Sequence, residues 1–248
     1  MLRLYDPDAR AAKEIRPGPL RIEVHGADPR VHVLADLLRR VAERRRRRVV
    51  VGHSGEVPTW NPAEMNVQPM EWSPSGADLH VTGEVTGEVT GEVPGEVGAP
   101  AGRRVLVAAS PASWAEADPL SDPLSDPLSD PLSDPLSVRL TMLSAHYRTP
   151  IVAGHAAAAV AAAADRLGRW RGLVAEWADS PGRPMCADYV AEAEAAFDDD
   201  LDTPAVLSLL DRLADDREIP PGSKFQTFVH LDLILALDLV AAIGRPRT

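Results

Sequence analysis

The chain has 248 residues, 45% of them hydrophobic, and a formal net charge of −11, enough material for one large core or two smaller ones. The acidic balance excludes a surface that coats nucleic acid generally, so such a contact would have to come from a local basic run. A single cysteine, Cys186, excludes an intrachain disulfide and suits a reducing compartment.

Residues 1–15 are charged throughout and carry no signal-peptide pattern. The longest apolar run, residues 151–164, is mostly alanine and shorter than a membrane span. The expectation is a soluble, cytoplasmic protein with no membrane partner. Leu20-Arg21-Ile22-Glu23-Val24 alternates apolar and polar residues as a half-buried strand does. His25-Gly26-Ala27-Asp28-Pro29 is turn chemistry. Val31, Leu34, Leu37, Leu38 and Val41 then recur at helical spacing as far as the run Arg44-Arg45-Arg46-Arg47-Arg48, and Val49-Val50-Val51-Gly52 predicts a second strand. Strand, helix and strand in this order make residues 1–57 a partial Rossmann-like nucleotide-binding unit.

Residues 58–133 change character. Thr82-Gly83-Glu84-Val85 recurs from Thr86 and Thr90 and returns as Pro94-Gly95-Glu96-Val97, and Asp118-Pro119-Leu120-Ser121 repeats from Asp122, Asp126, Asp130 and Asp134. A proline every four residues removes backbone donors and biases the preceding aspartates toward extended geometry. This region is expected to be a low-complexity, mostly disordered linker.

Residues 134–248 predict an antiparallel helical bundle, so that the fold class is α/β plus α. Helices are expected over residues 136–146, 156–177, 187–197, from 203 onward and over 225–243. Leu167, Trp170, Leu173, Val174 and Trp177 share one apolar face. Thr203 reads as an N-cap with Pro204 in the first turn, and Gly244 and Pro246 close the last helix.

Two ordered segments of this region, Leu143-Ser144-Ala145-His146-Tyr147-Arg148-Thr149-Pro150 and Phe197-Asp198-Asp199-Asp200-Leu201-Asp202-Thr203-Pro204, resemble motifs of the cysteinyl-tRNA synthetases and the related cysteine ligase of mycothiol synthesis. There a segment D-P-x-x-x-R-x-x-L-L-S-x-H-Y-R-x-P leads into the helices and F-x-x-x-(M/L)-D-D-D-(F/L)-(N/D)-T-P follows. The resemblance covers residues 134–215 and, more loosely, 1–52. It implies ATP-dependent adenylation of cysteine on a class I Rossmann-like domain, with H-I-G-H and K-M-S-K-S loops at the phosphates. It also implies a zinc ion held by a cysteine after the first strand, a second cysteine, a histidine and a glutamate.

The sequence departs from that pattern where the chemistry sits. His25 replaces the first cysteine, and Asp28-Pro29-Arg30-Val31-His32 runs straight into the helix without H-x-G-H. Val81-Thr82-Gly83-Glu84 resembles the V-x-G-E before the lysine loop, yet Gly102-Arg103-Arg104 follows the repeats with no lysine. The repeats begin at these inherited pieces, which implies relaxed constraint on the old active site. The leading expectation is therefore a degenerate, non-catalytic relative with a role in binding or assembly and no resident cofactor.

A diverged ligase is the alternative, with His25 and His32 near the phosphates, Arg103 or Arg104 in place of the lysines, and ATP and zinc as its requirements. A tRNA-binding accessory protein, using the arginine run, is a third reading. Partners would be tRNA or a protein met through the helices. Position by position the plainer readings are favoured. His25 is a strand-end histidine rather than a metal ligand, and the arginines suit a helix end. Asp198, Asp199, Asp200 and Asp202 complement the start of a helix, and His146, Tyr147 and Arg148 pack at a junction. Cys186 is an inert thiol.

Overall fold

The computed structural model describes residues 1–71, 76–83, 102–110 and 134–245 of the chain. Its first elements lie in the charged N-terminal stretch. Strands β1 (Arg3–Asp6) and β2 (Ala11–Glu14) form an antiparallel hairpin in which Arg3 faces Glu14. Leu2 and Leu4 turn into the core between exposed charges, the period-two pattern of a one-sided strand.

The alternation at residues 20–24 becomes strand β3 (Leu20–His25), with Leu20, Ile22 and Val24 buried. Asp28 caps helix α1 (Pro29–Arg44) by accepting from the Arg30 amide, and Pro29 occupies the first turn, where its missing N–H costs nothing. Strand β4 (Val49–Ser54) returns parallel to β3. After a 3₁₀ turn at Pro62–Met65, strands β5 (Leu79–Gly83) and β6 (Arg103–Val107) complete a four-stranded parallel sheet in the order β4-β3-β5-β6.

Two of the four strands thus lie inside residues 58–133, which the sequence reading assigned to a disordered linker. The linker reading is corrected for these segments. Leu79 and Val81 of β5, and Val105 and Val107 of β6, are buried in the core, and that apolar content sets the strands despite the repeats around them. Of the Thr-Gly-Glu-Val repeats, only Thr82 and Gly83 fall within the described residues; of the Asp-Pro-Leu-Ser repeats, only the last unit does.

That last unit starts a helix. The Asp134 carboxylate accepts from the Leu136 amide at the N-terminus of α2 (Pro135–Ser144). Helices α3 (Ala153–Trp177), α4 (Ala187–Asp198), α5 (Thr203–Asp215) and α6 (Pro221–Leu235) follow. Trp170 and Trp177 are buried as expected and pack edge-on against Phe228 of α6, with ring centroids 6.2 and 5.2 Å away. None of the described helices is long and apolar enough to cross a membrane.

Two helix ends differ from expectation. Asp202, not Thr203, caps α5, accepting from the Ala205 amide, while the Thr203 hydroxyl donates to the Leu143 carbonyl at 2.7 Å. Helix α6 stops at Leu235 rather than near residue 243. The Asp232 carboxylate accepts from the amides of Leu237 and Leu239, each at 2.8 Å, and turns the chain through a left-handed Ala236.

One continuous core joins sheet and helices. At its centre Arg139 of α2, fully buried, donates to Asp36 of α1 at 2.9 Å and to the carbonyls of Met65 and Leu235. Asp36 also pairs with Arg39 and Arg40 at 2.7 and 2.8 Å.

Candidate functional site

In a sheet of this topology the connections leave in opposite directions at the point between β3 and β5, and the crevice outside the carboxyl ends of such strands is where ligands bind. Three groups of side chains lie at or near this edge.

The first is a cluster on the sheet face turned away from the buried Leu20, Ile22 and Val24. In the parallel register Glu23 faces His80, and His25 faces Ser54 on the other side. Side chains of facing residues project from the same face. Accordingly His25 Nε2 and His80 Nδ1 are 3.0 Å apart, His80 Nδ1 lies 3.4 Å from a Glu23 carboxylate oxygen, and Ser54 Oγ lies 2.9 Å from His25 Nδ1. His80 is buried, whereas Glu23 and His25 are partly exposed. Burial pushes the His80 imidazole below the ordinary histidine range; the Glu23 carboxylate acts against this shift and His25 adds to it.

The second group surrounds the Gly26 carbonyl, which lies 3.0 Å from His32 Nε2 and 3.1 Å from His53 Nε2. The Trp60 indole donates to the Ala27 carbonyl and meets the His32 ring edge-on. Burial holds His32 below its ordinary range. His32 and His53 are thus committed to a backbone turn and stand apart from the His25 cluster.

The third group closes the N-terminus of α1, the end of a helix that attracts anions. Here the Asp28 carboxylate already accepts from the Arg30 amide and from the Ser110 hydroxyl at 2.7 and 2.8 Å. The Arg30 guanidinium points away and donates to the carbonyls of Ala108, Ala145, His146 and Thr149. A phosphate at this end would meet a carboxylate, so these residues do not fit the ATP that the resemblance implies.

Arg104 faces His80 across β5 and β6, but the guanidiniums of Arg103 and Arg104 are both engaged elsewhere. Arg103 donates to the Lys13 carbonyl at 3.0 Å and lies 3.6 Å from Asp6, and Arg104 pairs with Asp8 at 2.7 Å. The N-terminal hairpin takes up both. Much of the arginine run is likewise engaged: Arg44 with His230, Arg45 with Asp198 at 2.8 Å, and Arg47 with the carbonyls of Gly18 and Arg16. Cys186 precedes α4, where its amide bonds Thr227, and contributes nothing to the sheet edge.

The two helical motifs meet one another. Asp200 accepts from the Tyr147 hydroxyl at 2.5 Å and the Tyr5 amide at 2.7 Å, and pairs with Arg148 at 2.9 Å. Its backbone carbonyl lies 3.1 Å from His146 Nε2. Asp198 pairs with the N-terminal ammonium and Asp199 with Arg3. Only Asp202 serves the start of a helix, so the reading of all four aspartates as helix-end charges is corrected for three of them. Asp200 and Leu201 both adopt left-handed backbone angles, with φ of 60° and 54°, and these contacts hold that strained turn.

Sequence reasoning missed Glu23, His80 and Ser54. Glu23 shares a period-two face with His25, a signal present in the sequence. His80 fell in the presumed linker and could not be paired with β3 without its strand. No family model matches this sequence, and no curated protein is significantly similar to it.

Proposed function

We propose that this chain is a class I ligase scaffold given over to binding: a degenerate relative of the cysteinyl-tRNA synthetases and the mycothiol cysteine ligase that forms no aminoacyl adenylate. In this reading α2 to α6 are the antiparallel bundle of that group, kept as a platform for a protein partner. The observation that carries it is the Asp28 carboxylate at the N-terminus of α1, bonded to the Arg30 amide and Ser110 where a nucleotide phosphate would need open donors. The engagement of Arg103 and Arg104 by the N-terminal hairpin supports it against the diverged ligase, because neither guanidinium is held toward the carboxyl ends of β3 and β5.

Pyrophosphate exchange measured against all amino acids tests the proposal. The expected result is no exchange above background. Cysteine-dependent exchange, lost on replacing Arg103 or Arg104, would overturn it in favour of the ligase. A tRNA role would instead appear as binding that weakens steeply with salt.

A further inference from the structure

Three atoms able to bind a metal converge on the outer face of the sheet: His25 Nε2, His80 Nδ1 and a Glu23 carboxylate oxygen, all within 4.8 Å of one another. One proton at His80 Nδ1 cannot serve both of its neighbours. If His25 donates its Nε2 proton to His80, the lone pair of His80 Nδ1 is used and Glu23 faces no donor within the cluster. If His80 carries the proton at Nδ1, it can serve His25 or Glu23 well, not both, since each ring nitrogen holds one proton. A single cation at the centre satisfies all three.

The spacing fits one. A tetrahedral zinc with bonds of about 2.0–2.1 Å places its donors ~3.3 Å apart, and two of the three observed separations are 3.0 and 3.4 Å, the third lying within 4.8 Å. The surroundings fit as well. Ser54 Oγ can accept the Nδ1 proton of His25, which fixes the tautomer that frees Nε2, the usual task of a ligand's outer partner. His80 lies against Gly102, where an added Cβ would come within 2.7 Å of its Nε2 and 2.6 Å of the Ala77 carbonyl. The glycine leaves room for the ring at this place in the sheet. As a ligand through Nδ1 the His80 ring carries its proton at Nε2, which has no hydrogen-bond partner among the described residues, so the outer partner of a ligand histidine is present for His25 and not for His80.

We infer that Glu23, His25 and His80 form a three-donor site for a borderline divalent cation of the zinc type, with a fourth position open to solvent or an added ligand. Mixed imidazole and carboxylate donors suit this class and not the calcium or magnesium class, which takes oxygen alone. The site shares with the ligand set of the resemblance the position of its first cysteine, which His25 occupies. The other donors differ: Glu23 precedes that position, no second cysteine exists in the chain, and Cys186 lies elsewhere.

The test is titration of the chelator-treated full chain with zinc, read by competition with a chromophoric chelator, and with cobalt, read by its visible absorption. We expect one equivalent to bind. Glu23→Gln, His25→Asn and His80→Gln should each weaken binding by roughly tenfold or more, the scale on which even the outer partners of metal ligands act. His155→Gln, on the exposed side of α3, should leave affinity unchanged. Glu23→Gln should also alter the cobalt spectrum, a change that a purely structural role would not produce. Should His80→Gln unfold, as its melting curve would show, Glu23→Gln and His25→Asn decide the matter.

Absence of zinc binding overturns the inference, as does an equivalent that survives all three substitutions. The inference goes beyond the proposed function and does not rest on it. Zinc binding with no pyrophosphate exchange upholds both, exchange with zinc bound sinks only the binding-protein reading, and no zinc with no exchange sinks only the metal site.

Discussion

At the junction of α1 and α2, Asp36 meets three guanidiniums, and Arg139 finds acceptors in Asp36, the Met65 carbonyl and the Leu235 carbonyl. On the outer face of the sheet, His25, His80 and Glu23 turn ring nitrogens and a carboxylate toward each other. The first place is fully buried and closes its own electrostatics, whereas the second buries only His80 and leaves Glu23 and His25 partly open to a ligand. Groups that satisfy one another are structural, and a set that converges without its counter-charge points to a ligand. The family-like motifs belong to the first kind. The Asp200 hub, like Arg139, binds protein to protein.

The comparison breaks most readily at Arg139. Arg139→Met removes one partner of a fully buried ion pair and orphans two carbonyls, so unfolding in urea should show a loss of roughly 3–5 kcal/mol. Zinc affinity of the folded protein should not change. A loss under about 1 kcal/mol would mean that the junction is not the anchor described here.

The same cluster sets an acid limit. Burial pushes the Asp36 carboxyl up, but the Arg139 and Arg40 charges and the bonds from Arg39 and Arg40 outweigh it and hold it below the usual carboxylate range. A carboxyl whose folded value is depressed contributes stability above its unfolded value of about 3.9, and this is lost as pH falls through the folded value. Stability of the native chain should therefore fall below about pH 4 more steeply than that of Asp36→Asn. Parallel curves for the two proteins would remove Asp36 from the account.

Next in size is Asp200. Asp200→Ala leaves the Tyr5 amide, the Tyr147 hydroxyl and Arg148 without their acceptor. The expected loss is about 1–3 kcal/mol, with Tyr147→Phe at the lower end. If either substitution weakened zinc binding instead of the fold, the division between the two regions would fail.

What could be read in the sequence follows the same division. The β3-α1-β4 unit and the apolar face of α3 rest on local periodicity, and both were legible there. Strands β5 and β6 are five residues each and are bordered by repeats, so their buried Leu79, Val81, Val105 and Val107 carried too short a pattern to stand out. The metal-binding set depends on register, Glu23 opposite His80 across two parallel strands. No local rule supplies that pairing. The aspartates of residues 198–200 likewise find partners at Met1, Arg3, Tyr5 and Arg45, more than half the chain away.

The smallest effect discriminates at single-residue resolution. Asp202 and Thr203 could each cap α5, and the sequence favoured threonine. In the fold Asp202 accepts from the Ala205 amide and the buried Thr203 hydroxyl donates to Leu143. Asp202→Ala should thus cost about 1 kcal/mol, the ordinary value of a lost cap, and Asp202→Ser should recover most of it. Thr203→Ser keeps the hydroxyl but loses a buried methyl, for which a cap at this position would have no use. A loss on Thr203→Ser comparable to that on Asp202→Ala therefore marks Thr203 as a core residue that also bonds α2. If Thr203→Ser is silent and Asp202→Ala is silent too, the cap lies where the sequence alone would put it.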